Sequence, residues 1–164
     1  MTAYRNAVNY VADPAHETWR AKWRATNGDA PRWKPMNQDS LRWLCENDVP
    51  TSALRQTEVG FDIDIAALTN GELPPQFSGE NVSAAEGAID AVLQNQKASL
   101  DDLAAVVHMQ WVERKLKAGE TPPAELAVDF KDLPDIDQEK DRVIARLALD
   151  AVERFGLLLI QSGR

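Results

Sequence analysis

Residues 16–33, HETWRAKWRATNGDAPRW, hold Trp19, Trp23 and Trp33 with Arg20, Arg24 and Arg32. Lys34, Arg42 and Trp43 follow closely. Indoles give flat apolar faces on which a base can stack, and guanidinium groups give charged donors for phosphate. Trp19 and Trp23 are four residues apart and so share one face of a helix, with Arg20 and Arg24 in a parallel row. The structural use of the same residues is a core for Trp19 and Trp23, with the arginines solvated or paired to acidic groups. Trp33 and Trp43 fit a binding role better than Trp19 and Trp23 do.

The charge distribution bears on the ligand. The 164-residue chain carries a net charge of −8. Residues 1–44 hold seven Lys/Arg against four Asp/Glu, whereas residues 45–164 hold eleven against twenty-two. A basic, aromatic region thus sits on an acidic body. That excess of acid argues against general nucleic-acid binding or an acidic membrane surface. It leaves room for a small anion entering a local pocket, or for an acidic surface docking on a basic protein.

Other chemistry is thinly represented. One cysteine, Cys45, and two histidines make a poor zinc set. The run DIDQEKD at 135–141 lacks the spacing and central glycine of a calcium loop. Cys45 has no neighbouring histidine, and neither a Gly-x-Ser-x-Gly elbow nor a phosphate loop is present. The chain reads as non-enzymatic and without a cofactor. With no signal-peptide plan at the start and no disulfide to form, it reads as cytoplasmic.

Periodicity sets the elements that must carry these residues. Ile144, Leu147, Ala148, Ala151, Val152, Phe155 and Leu158 recur every three or four residues. They predict a buried stripe on a final helix capped by Asp137, running from Gln138 to about Leu159 and ended by Ser162 and Gly163. Ser99 with Asp102 forms a capping box for a helix over 99–117, with Leu100, Leu103, Ala104, Val107 and Trp111 inward and Gly119 at its end. A helix over 83–94 turns Ala85, Ala88, Ile89, Val92 and Leu93 inward, and Gly87 permits a close crossing. Asp13 and Pro14 start a helix ending at Asn27-Gly28. Residues 39–47 predict a short helix. Residues 52–68 read as a helix, or as a strand through Phe61, Ile63 and Ile65. Residues 70–79 and 121–134 read as loops, although Leu126, Val128 and Phe130 alternate. The expected fold is mainly α: one compact domain of five or six helices, with at most a short strand pair.

An internal echo joins the two ends. His16-x-x-Trp19 and His108-x-x-Trp111 each run on to a lysine and a glycine, Gly28 and Gly119. A duplicated helical unit would explain it, and it predicts a pocket between the first helix and the His108–Lys115 helix.

Over residues 83–152 the chain resembles the RyR domain, the repeat of ryanodine receptors and of small bacterial and phage proteins. The matching residues are His108, Trp111, Lys115 and Gly119, then Phe130, Leu133, Pro134, Lys140 and Asp141. His16 and Trp33 match the family's first helix and the Trp after it. Where the family carries a Tyr-Gly and a His-Pro-rich hairpin, this chain has the shorter ETPPAELAVDF. The resemblance implies a single RyR-like domain over 1–164, with a Trp/Arg-rich part (1–44) and a core part (83–160). It also implies a non-enzymatic module for a small anionic ligand such as a nucleotide signal, in a phage one that sequesters a host defence signal. Ligand contacts are then expected from His16, Trp19, Arg20, Trp23, Arg24, Trp33, Lys34, Arg42, Trp43, His108, Trp111 and Lys115. The alternative is an acidic interaction module or phage inhibitor docking on a basic protein, and self-association is open to either.

Overall fold

The computed structural model describes residues 2–158. About two thirds of the chain is helical. Its helices are α1 (Thr2–Asn27), α2 (Gln38–Glu46), α3 (Pro75–Gln94), α4 (Leu100–Lys117) and α5 (Asp135–Arg154). Three short strands, β1 (Trp33–Pro35), β2 (Leu54–Thr57) and β3 (Gly60–Asp64), lie between α1 and α3. The mainly-α expectation holds, with a three-stranded sheet where a strand pair was expected. Among the described residues no helix is long and apolar enough to cross a membrane.

Contacts divide the chain into two units. One comprises Met1–Val11 with Val82–Arg164, and the other is Ala12–Asn81. The division falls inside α1 and inside α3.

The terminal unit is built on α4 and α5, which pack against each other. The Ser99–Asp102 capping box forms as expected, with Ser99 Oγ accepting from the Asp102 amide at 3.1 Å. Leu103, Ala104 and Val107 are buried, and Leu100 and Trp111 are half-buried. On α5 the core face is narrower in side-chain size than its periodicity suggested. Ala145, Ala148, Ala151 and Val152 are buried, whereas Ile144, Leu147 and Phe155 are only half-buried. Small side chains let the helix backbone approach closely, which leaves the larger ones at the margin of the contact. The helix also starts at Asp135, ahead of the expected Asp137 cap, and turns at Gly156 with φ 61°. Leu159, Ser162 and Gly163 lie outside the described residues.

Two other boundaries differ from expectation. α1 does not begin at Pro14 but runs through it from Thr2. Pro14 removes one backbone donor, but Ala7, Val8, Val11 and Ala12 form a buried stripe just before it, and that burial outweighs the lost bond. α3 begins at Pro75, not Ser83, because Pro is preorganised for the first helical position. Its inward residues Ala85, Ala88, Ile89 and Val92 are buried as expected. Residues 121–134 form no strand; they turn and then make one 3-10 turn, Phe130–Asp132.

In the central unit the strand reading of residues 52–68 holds and the helix reading does not. β3 lies between β1 and β2, antiparallel to both, with Lys34 and Leu54 opposite Ile63. Ile63 then packs with Ala53, Leu68 and Leu73, and with Met36, Leu54, Ile65 and Phe77 at the margin.

Candidate functional site

α1 is anchored in the central unit by two side chains one turn apart. His16 is buried and donates from Nε2 to the Leu68 carbonyl at 2.8 Å. Asn81 Nδ2 lies 3.5 Å from its Nδ1. Burial pushes the His16 pKa down, the Leu68 bond opposing this only in part. Arg20 is also buried; its Nε donates to the Ala66 carbonyl at 2.9 Å and its Nη1 to Glu17 at 2.7 Å. His16 and Arg20 therefore hold the 66–68 segment against α1, and their expected ligand contacts are spent on the fold.

The indoles continue from this anchor. His16 stacks on Trp19 at 5.7 Å, and Trp19 on Trp23 at 6.0 Å. The Arg32 guanidinium lies 5.4 Å from the Trp23 ring centre. Trp23 Nε1 donates to the Ala30 carbonyl at 2.8 Å, which folds residues 28–32 back along the end of α1. Gly28 makes that reversal with φ 61°. Trp23, Arg24, Gly28, Asp29, Ala30 and Asp64 line a cleft of about 140 Å³. The Asp64 carboxylate in it is already engaged, accepting from the amides of Arg32 at 2.8 Å and Ala66 at 3.0 Å.

Trp33, Trp43 and their expected cations are arranged differently. Both indoles are half-buried. The cation over Trp33 is Arg55, 4.6 Å from the ring, itself held by the buried Asp62 opposite it in the sheet. Sequence reasoning missed Arg55 because the cross-strand pairing that brings it to Trp33 has no local signature. Lys34 is half-buried on β1. Arg42 sits with Trp43 on α2 and pairs with Asp39.

The second His-x-x-Trp lies in the terminal unit and repeats the first. His108 is buried and donates from Nε2 to the Val128 carbonyl at 2.8 Å. It stacks on Trp111 at 6.0 Å, and Lys115 Nζ lies 6.0 Å from that indole and 2.9 Å from Glu120. Its Nδ1 faces Asp141 Oδ2 at 3.5 Å. Burial raises the Asp141 pKa to about 6, the nearby His108 and Lys140 restraining the rise. Leu68 and Val128, Leu73-Pro74 and Leu133-Pro134, and Asn81 and Asp141 all stand at one common interval in the chain. α3 and α5, each 20 residues long, start at that interval too. Each unit is thus the same device: a His-x-x-Trp helix bonded to a turn segment, a 3-10 turn, Leu-Pro and a helix carrying the second partner of the histidine. The central unit interposes its sheet, so His16 reaches a residue 52 positions on and His108 one 20 positions on. The two histidines accordingly serve separate units, each closing on its own carbonyl.

A larger cleft of about 550 Å³ opens in the terminal unit beside His108, lined by Asp101, Asp102, Met109, Asp129, Phe130 and Lys131 among others. Asp101 is held by Arg142 at 2.7 Å, which draws its pKa down. Among the described residues no group of His, Cys, Asp and Glu could hold a metal ion.

No protein-family model matches the chain, and neither a curated protein nor a solved structure matches it.

Proposed function

We propose that the chain is a non-enzymatic, cytoplasmic binding module of RyR type that takes a small anionic ligand on the Trp23–Arg24–Arg32 surface of its central unit. The single observation that carries this reading is that Trp23, stacked on Trp19 and faced by the Arg32 guanidinium, lines one cleft together with Arg24. A cleft of about 140 Å³ is smaller than the roughly 300–1,000 Å³ that encloses a drug-sized ligand. It suits one group of a nucleotide, such as a phosphate, while the base lies against the half-buried Trp23 indole. The RyR reading draws support from His108 bonding the Val128 carbonyl and facing Asp141, with the Phe130 turn and Leu133-Pro134 lying in the chain between those two partners. Sequestration of a host defence signal by a phage protein is the most specific form of the proposal.

Calorimetry against mono-, di- and cyclic nucleotides tests it. At least one should bind, and Arg24→Ala and Arg32→Ala should each weaken that binding about tenfold or more, the worth of a charge-assisted contact of roughly 1.5–3 kcal/mol. A panel without a binder, or a binder indifferent to both changes in folded protein, overturns the proposal.

One observation favours a second reading. The larger cleft is rimmed by Asp101, Asp102 and Asp129, which suits docking on a basic protein. Such docking should weaken steeply as salt rises, whereas stacking on an indole should persist.

A further inference from the structure

Among the described residues, the surface segment 123–129 is fastened to the rest of its unit by one side-chain hydrogen bond. Of its residues only Leu126 is half-buried, and the others are exposed. The Leu126 and Ala127 amides bond to the Pro123 carbonyl at 2.9 Å, which closes a turn but does not fix it in place. The fastening is the His108 Nε2–H bond to the Val128 carbonyl at 2.8 Å. On its other side the ring faces Asp141 Oδ2 at 3.5 Å. His108 thus stands between two acceptors. With a proton held between Nδ1 and the carboxyl, both acceptors are served. With that proton gone, a single N–H remains for the two of them. In the central unit the Asn81 amide is itself the donor toward Nδ1 of His16, so no such competition arises.

We propose that His108 and Asp141 form a proton-operated latch on this segment. While the pair holds its shared proton, Nε2–H stays on the Val128 carbonyl and the segment is fastened. When the pair releases that proton to water, the ring's remaining hydrogen is carried by Nδ1 and bonds the Asp141 carboxylate. The Nε2 bond then breaks and Val128 is let go. The carboxylate wins this competition because a charge-assisted hydrogen bond is roughly twice as strong as a neutral one. Val128 is 36% exposed, so its carbonyl turns to water on release. Asp141 has no such recourse, and its burial is what lifts its pKa to about 6. Around the pair, α5 also carries Lys140 and Asp137, which bond each other at 3.0 Å and act on Asp141 with opposite sign. Asp101 and Asp102 of α4 and Asp129 and Lys131 of the turn line the cleft of about 550 Å³ together with His108. Asp129 belongs to the latched segment as well, so the latch sets whether that wall of the cleft is fixed. The device lies wholly within the terminal unit and does not depend on an anion binding at Trp23.

Heteronuclear NMR of the imidazole nitrogens in the full chain, from about pH 4.5 to about pH 8.5, reads the tautomer of each ring. At the alkaline end His108 should carry its hydrogen on Nδ1, whereas neutral His16, the only other histidine, should keep it on Nε2. Asp141→Asn puts an amide where the central unit has one, and should hold the His108 hydrogen on Nε2 throughout. Exchange of the Leu126 and Ala127 amides reads the segment itself. Taking the ratio of wild type to Asp141→Asn at each pH cancels the intrinsic effect of hydroxide, and that ratio should rise severalfold across the range. A neutral His108 that retains Nε2–H at the alkaline end, or an exchange ratio that stays flat with pH, overturns the proposal. Should Asp141→Asn fail to fold, the wild-type ring spectra decide alone.

Discussion

His108 donates from Nε2 to the Val128 carbonyl, and His16 makes the same bond, at the same 2.8 Å, to Leu68. A carbonyl only accepts, so in both rings the Nε2 carries hydrogen. When neutral, each ring then presents Nδ1 as an acceptor. The two units answer that acceptor with different chemistry. Asn81 offers His16 an amide N–H, so the central pair is complete without charge. Asp141 offers His108 a carboxylate, and two acceptors can face each other only if one of them holds a proton.

The His16 bond reaches a turn segment, residues 65–68, with no regular ladder of its own. His16→Ala leaves the Leu68 carbonyl buried without its donor. That should cost about 1–3 kcal/mol, read as a lower urea midpoint with an unchanged slope. An unaltered midpoint would mean that the 66–68 segment is held by Arg20 alone.

The Asp141 carboxyl should make stability depend on pH. Its pKa rises from an ordinary 3.8 to about 6 because burial penalises the charged form. The unfolded chain therefore loses this proton first. The contribution is fully present below about pH 4, and it is lost as pH rises through about 6. His16 acts oppositely: its pKa is lowered, so its stabilisation is present above its ordinary value of 6.5 and lost as pH falls through the lower folded value. The Asp141→Asn variant isolates the first effect. The difference in stability between variant and wild type should shift in the variant's favour between pH 4 and pH 7 by roughly 1–3 kcal/mol, discounted for partial exposure. A difference curve flat across that window would remove Asp141 as a proton-holding group.

What was legible in the sequence follows from how local each signal is. The α4 cap needs only Ser99 and Asp102, and both do what their spacing promised. The His-x-x-Trp echo was visible because its residues sit within one helical turn. Asn81 and Arg55 were not visible, since each depends on a partner brought near by chain reversal. The second copy of Leu-Pro, seven residues before Asn81 and before Asp141, held the signal for the first of these. The local preference of proline for a first turn points to a start at Pro14, whereas the buried stripe from Ala7 to Ala12 carries α1 back to Thr2. Arg20 and His16 looked like ligand donors because sequence shows the residue type and not the carbonyl waiting opposite.

The final helix offers a test of the small-residue contact. Leu147 is half-buried and Ala148 wholly so. Leu147→Ala should cost less than the ~2–5 kcal/mol of a fully buried leucine. Ala148→Leu has no room and should cost at least about 1–3 kcal/mol. Thermal melts should therefore rank Ala148→Leu as the more damaging of the two. The reverse order would return Leu147 to the centre of the contact.

Gly87 and Gln110 give a prediction in which the sign changes with background. Gln110 Nε2 donates to the Gly87 carbonyl at 3.2 Å, while its Oε1 is buried with no hydrogen-bond partner. A Cβ at position 87 would lie 2.4 Å from that Oε1. In wild type, Gly87→Ala must push the amide aside and break its bond, so it should destabilise. Gln110→Ala removes both the obstacle and the unpaired oxygen. In that background Gly87→Ala should gain the roughly 1 kcal/mol by which alanine exceeds glycine inside a helix. The two changes should therefore couple by at least about 1 kcal/mol in a double-mutant cycle of urea midpoints. Additive effects would show that the amide moves freely and that this close crossing places no demand on position 87.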